Sequence, residues 1–222
     1  MQDSTPNGGL GSAGSSAQHS SSYDDGKDQG NRVRIETYAL LASLLRQSPS
    51  ADLLATLAQV ETPDATSPRQ SRLEKAWAEL AKAAEIADPD KLESEFHKLF
   101  IGVGQGELLP YGSWYISGAM MDRPLAALRD DLARIGLQRA EGVSEPEDHA
   151  AAICETMVLL ADPDQGLPLS EQYHFFSAHV GVWLGRFFQD LQEAKSATFY
   201  ASVGQLGEAF IEFEKVWLEL PE

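Results

Sequence analysis

The chain has 222 residues, 43% hydrophobic and 9% aromatic, enough for one well-filled globular core. Its 17 basic and 34 acidic side chains give a formal charge of −17. A surface that negative repels phosphate backbones and anionic headgroups, which argues against nucleic-acid and membrane partners and favours basic ones. The single cysteine, Cys154, excludes an intrachain disulfide, a CxxC redox pair and an all-cysteine metal site, and fits a reducing compartment.

Residues 1–30 are dominated by Ser, Gly, Gln and Asp. They are too polar to bury the surface that offsets ordering entropy, so a disordered tail is expected ahead of one domain over 31–222. The start lacks the basic and continuous apolar regions of a secretory signal, and no later run approaches a membrane span. A cytoplasmic protein without membrane insertion is the expectation.

From Arg32 the apolar residues recur with helical period. Ile35, Tyr38, Ala42 and Leu45 form one stripe, and Ser50 then caps a short segment carrying Leu53, Leu54, Leu57 and Val60. Leu73, Ala76, Trp77, Leu80 and Ala84 mark a third helix. Asp88-Pro89 is an N-cap with proline at the first helical position, launching Leu92, Phe96 and Leu99 on one face. The stretch 101–113, with glycines at 102, 104, 106 and 112 and Pro110, reads as a long loop.

Asp122 caps a segment in which Leu125, Leu128, Leu132 and Ile135 face inward, and Gly136 stands where a left-handed C-cap belongs. Ser144 and Glu147 have capping-box spacing, which puts Asp148 and His149 in the first turns of the next helix, with Ile153, Met157 and Leu160 on its buried side. Two long helices close the chain. Phe176, Val180, Trp183 and Phe187 lie on one; Phe199, Val203, Leu206, Phe210, Phe213 and Trp217 form a helix-packing seam on the other. No segment alternates with period two, so the fold class is all-α, a bundle of eight or more helices.

Few constellations carry chemistry. The glycines at 102, 104 and 106 lack the Gly-Lys-Ser/Thr of a P-loop and the strand-helix context of a dinucleotide site. Asp148-His149 reverses the order of a metal-binding His-Asp pair, and His97 is the only histidine upstream outside the tail. His174 and His179 stand about 140° apart around a helix and cannot share an ion. Cys154 sits among apolar residues as a buried thiol would, and Ser113 has no base partner in the sequence. What remains is Phe96, Leu99, Phe100, Pro110, Tyr111, Ser113, Trp114 and Tyr115 around the glycine loop. These residues either plug the core or line a groove for an apolar or arginine-bearing peptide, with Glu145, Glu147 and Asp148 as its negative end.

Two blocks resemble the TorD/DmsD family of redox-enzyme maturation chaperones, relatives of the NarJ group. Residues 96–113 are similar to the family's aromatic-x-x-Leu-Phe, glycine loop and Pro-aromatic-x-Ser sequence, and Glu145-Pro146-Glu147-Asp148-His149 to its Glu-Pro-x-Asp-His signature. The resemblance implies an all-helical, non-enzymatic chaperone that binds the twin-arginine leader, the apo catalytic subunit, or both, of a molybdenum-cofactor oxidoreductase until its cofactor is inserted. The positions it implies for leader or client binding are Phe96, Leu99, Phe100, Gly104, Pro110, Tyr111, Ser113, Glu145, Pro146, Asp148 and His149. Asp148 would pair with a leader arginine, and Tyr111 and Phe100 would offer cation-attracting faces. The resemblance implies no resident metal or cofactor, weak nucleotide binding at most, and a monomer or a domain-swapped homodimer. Two alternatives stand beside it: a NarJ-like assembly factor for a non-exported redox complex, and a helical metal-dependent hydrolase using His97, Asp148 and His149. A plain interaction module whose aromatics are all core is the third.

Overall fold

The computed structural model describes residues 15–60, 71–140, 142–165 and 167–220, with side chains from Asp28 onward. The described residues form ten α-helices and no strand. In chain order these are α1 (Ser15–Arg46), α2 (Ala51–Ala58), α3 (Arg72–Glu85), α4 (Pro89–Phe96), α5 (Gly112–Ser117), α6 (Arg123–Arg134), α7 (Ala150–Ala161), α8 (Leu169–His179), α9 (Leu184–Glu193) and α10 (Phe199–Leu218). The chain divides into two units between Val33 and Arg34. Of the expected tail, residues 1–14 lie outside the described residues, whereas 15–30 run as helix into α1.

The caps fall where local chemistry puts them. Ser50 Oγ accepts from Leu53 N (3.2 Å), and Asp88 Oδ1 accepts from Asp90 N (3.2 Å) with Pro89 opening α4. Ser71 and Glu74 form a reciprocal capping box on α3. Gly136 ends α6 at φ +78°.

The core of the second unit is built around α10, which packs most extensively on α9 and then on α3. The expected seam is buried at Phe199, Val203, Leu206 and Phe210 and half-buried at Phe213 and Trp217. A Cβ at Gly207 would lie 2.4 Å from the Phe188 ring, so a bare backbone there sets how closely α9 approaches. Deep in this core Arg34 Nε and Nη2 donate to both Glu214 oxygens (2.7 and 2.8 Å), and Nη2 also donates to Gln172 Oε1 (2.9 Å), tying α1, α8 and α10 together. Both ionic side chains are fully buried, which is tolerable because the fork satisfies both carboxylate oxygens.

The helix expected through 176–187 is broken. Val180 N and Gly181 N both bond to Phe176 O (3.0 and 2.8 Å), ending α8, and Trp183 turns its indole N–H back onto His179 O (2.8 Å) before α9 begins. Trp183 then packs against Tyr115, ring centroids 5.6 Å apart.

Candidate functional site

The first block starts in the core. After α4 the chain continues for one π-helical turn, His97–Ile101, which buries Leu99 completely and half-buries Phe100. Phe100 meets Phe96 edge to face at 5.1 Å and Tyr200 at 5.5 Å. Of the two roles open to these aromatics, Phe96, Leu99 and Phe100 take the core role. The glycine loop then folds back on the π-turn: Gly102 N donates to His97 O (2.7 Å), Glu107 N to Lys98 O (3.0 Å) and Leu108 N to Leu99 O (2.8 Å). Gly102 turns at φ +59°, and a Cβ at Gly106 would lie 2.6 Å from Leu99 O, so both close approaches require glycine. Gly104 is exposed at φ +93° with open space around it.

Two glutamates absent from the expected site secure this region. Glu95, buried at 8% exposure, accepts from the amides of Thr198 (2.7 Å), Phe199 (3.3 Å) and Tyr200 (2.8 Å), capping α10 from another helix. Glu107 accepts from Lys195 N (2.5 Å) and Ser196 N (3.1 Å), fastening the loop to the α9–α10 junction.

The two blocks meet at an isolated antiparallel bridge between Tyr111 and His149. Ala150 N donates to Pro110 O (2.8 Å) and Gly112 N to Asp148 O (2.9 Å), so α5 and α7 start from one shared knot of backbone. Asp148 and His149 therefore precede α7, and the expected Ser144–Glu147 capping box gives way to this pairing. His149 is the N-cap itself: its Nδ1 accepts from Ala151 N (3.1 Å). An accepting Nδ1 means the neutral ring carries its proton on Nε2. Burial drives this, holding the His149 imidazole down to about 4 against the fields of Glu145, Asp148 and Glu155, with Arg46 adding to the lowering.

Asp148 is likewise turned inward. At 3% exposure its Oδ2 accepts from Ser113 N (2.8 Å), and its buried Oδ1 has no hydrogen-bond partner among the described residues. The expectation that this carboxylate is presented to a leader arginine does not match its position: the bridge places it beneath the surface, where it holds α5. Ser113 is fully buried and receives Met121 N on its Oγ (3.1 Å). Tyr111, half-buried, crosses His149 edge to face at 5.1 Å and donates its hydroxyl to Glu145. Burial, then that carboxylate, push the Tyr111 hydroxyl up, so it stays a donor.

What the knot presents outward is acidic. Glu145 and Glu147 line a groove of about 540 Å³, with Leu132, Leu137, Val143 and Leu159 as its apolar lining and Glu155 of α7 as a third carboxylate. Val143 and Leu159 are each 43% exposed. Glu147 is gripped by Arg129 Nε and Nη2 (2.9 and 2.8 Å); burial works to raise its carboxyl, but the guanidinium overrides this and holds it below the usual range. Glu155 pairs with Arg46 (2.7 Å). Sequence reasoning missed Glu155 and both arginines, although Glu155 is the one charged residue in 150–161, a visible sign that α7 has an outward face there.

His97 is exposed at the end of α4. Among the described residues no group of three His, Cys, Asp or Glu side chains is placed to hold a metal ion, so the ligand set of the hydrolase alternative does not assemble. His174 is exposed, whereas His179 is buried with Nε2 2.7 Å from Asp131 Oδ2. Cys154 is fully buried, and burial pushes its thiol up. No helix among the described residues is long and apolar enough to cross a membrane.

Comparison with known proteins agrees with this architecture. The chaperone protein TorD of Vibrio cholerae serotype O1 is 28% identical over 138 residues, covering 58% of this chain; the chain spans 63% of that relative's length. TorD of Shewanella pealeana is 26% identical over 215 residues, covering 85% of this chain and 91% of the relative. In the crystal structure of a chain described as a redox enzyme maturation protein from Archaeoglobus fulgidus, the same fold recurs with a TM-score of 0.51 at 19% identity, over 81% of this chain and 93% of that one. A family model described as nitrate reductase delta subunit matches residues 67–189, which hold both signature blocks and the knot between them. The chain belongs to that family, the TorD/NarJ group.

Proposed function

We propose that this protein is a non-enzymatic maturation chaperone that binds, in the cytoplasm, the twin-arginine leader and the apo catalytic subunit of a molybdenum-cofactor oxidoreductase. The observation that carries the reading is the knot: two distant blocks join to set Glu145 and Glu147 in an apolar-lined groove that Glu155 also lines. Carboxylates accept arginine forks bidentately, and an apolar lining takes the hydrophobic residues that follow them in such a leader. The relatives named as chaperones and the formal charge of −17 support the same direction.

The test is fluorescence anisotropy with a dye-labelled synthetic peptide carrying Arg-Arg before a leucine-rich stretch, and its Lys-Lys counterpart. Saturable binding of the first, weaker binding of the second, and loss in Glu145→Gln/Glu147→Gln are expected, because lysine cannot form the fork. Equal affinity for both peptides, or none, would overturn the reading. The family description favours one further reading, an assembly factor for a redox complex that is not exported. Capture of the tagged protein with its native partners separates the two, since the client recovered either carries a twin-arginine leader or does not.

A further inference from the structure

The groove already holds arginines, and they are its own. Arg46, at the end of α1, sets Nε 3.3 Å from Glu155 Oε1 and Nη2 2.7 Å from Glu155 Oε2, a two-pronged fork across one edge of the groove. Arg139, on the segment after α6, also lines the groove and lies 3.8 Å from Glu147 Oε1, the oxygen that Arg129 leaves free. Neither resident is locked in place. The Arg46 and Glu155 side chains are 35% and 52% exposed, and the Arg139 guanidinium is beyond hydrogen-bond distance.

We propose that Arg46 and Arg139 are place-holders that occupy, within the chain, the carboxylates a partner's paired arginines engage, so that partner binding is an exchange of one guanidinium for another. This rests on the reading of the groove as the leader site and adds how that site is regulated. Half-exposed ion pairs contribute little to stability, so exchange costs little, and the displaced residents regain hydration. The exchange itself gains almost nothing. Net affinity therefore comes from covering Leu137, Val143 and Leu159, and a peptide with arginines but no apolar stretch is rejected. The residents also keep Glu155 and Glu147 from capturing any passing single cation.

The closing experiment uses the full chain, the same Arg-Arg peptide and a salt series. In Arg46→Gln/Arg139→Gln, Glu155 loses its guanidinium and Glu147 keeps only that of Arg129, leaving its Oε1 open, so affinity should rise about three- to five-fold. Salt dependence should steepen, because a new ion pair now forms where previously one replaced another. Glu155→Gln, which keeps Arg46 but removes its partner, should weaken binding. If the double variant binds with unchanged or lower affinity and an unchanged salt slope while the wild type still prefers Arg-Arg over Lys-Lys, the place-holder proposal fails and the leader reading stands. If neither protein binds the peptide, both fail together.

Discussion

His149 offers a direct test of how the knot is held, because its role as N-cap requires a neutral ring. The native imidazole is held down to about 4, whereas an unfolded histidine titrates near 6.5. Between those values the unfolded chain binds the proton and the native chain does not, so stability rises with pH across the window. In the other direction, the contribution is fully present above pH 6.5 and is lost as the pH falls toward 4. The difference corresponds to at most about 3 kcal/mol. His149→Asn isolates it: asparagine keeps an N-cap acceptor for Ala151 N but does not titrate. At pH 7.5 the variant should lose only about 1 kcal/mol, from the ring contact with Tyr111. Urea unfolding followed by tryptophan fluorescence, in steps from pH 7.5 to 4, should show the gap closing and then reversing in favour of the variant. Glu147, whose lowered carboxyl begins to lose its contribution only at the foot of this range, is common to both proteins and cancels in the difference. A difference that stays flat across the window would refute the buried neutral cap.

Glu214→Ala leaves the Arg34 charge buried without its carboxylate and should cost about 3–5 kcal/mol in urea unfolding. Arg34→Met/Glu214→Leu should recover most of that loss, and a single-variant loss below about 1 kcal/mol would show that water reaches the pair. Glu95→Ala removes the acceptor of three amides at the start of α10 and should cost about 2 kcal/mol or more, with faster hydrogen exchange at Thr198, Phe199 and Tyr200; unchanged exchange there would contradict the cap. Gly104→Ala, at positive φ in open space, should cost about 1 kcal/mol, whereas Gly106→Ala drives a Cβ into the Leu99 and Phe100 backbone and should lower the thermal midpoint far more, an order that must not invert.

The helices were readable because their signals are local. Ser50, Asp88-Pro89 and Gly136 act within one turn of the backbone they cap, and the α10 seam repeats at helical spacing. What escaped depends on partners far away in sequence. Nothing near residue 95 announces that its carboxylate caps a helix starting a hundred residues later, or that Arg34 is buried against Glu214. The break at 180–183 hid for the same reason: its apolar residues keep helical spacing, and the turn is made by Trp183 finding His179 O. The Ser144–Glu147 box misled because a local capping signal was overridden by long-range pairing of Pro110 with Ala150. At the site, the resemblance named the residues that build the knot, while Glu155, Arg46 and Arg139, which face the groove beside it, lie outside both blocks.

That division affects how substitutions in the signature are interpreted. Asp148 holds Ser113 N from inside, so Asp148→Ala frees that amide at the start of α5 and leaves the joint with α7 to its two backbone bonds. Loss of partner binding in that variant would follow from the loosened rim whether or not any arginine ever touches residue 148. Glu145 is held at its outer end by the Tyr111 hydroxyl and Glu147 by Arg129 of α6, and both side chains line the groove. Glu145→Gln can still accept from Tyr111, and its backbone lies outside the 110–113 and 148–150 pairing. The inward carboxylate thus sets where the rim stands and the outward ones set what it attracts. The two roles separate in one comparison: Asp148→Ala should lower stability and binding together, and Glu145→Gln/Glu147→Gln should lower binding with far less change in stability.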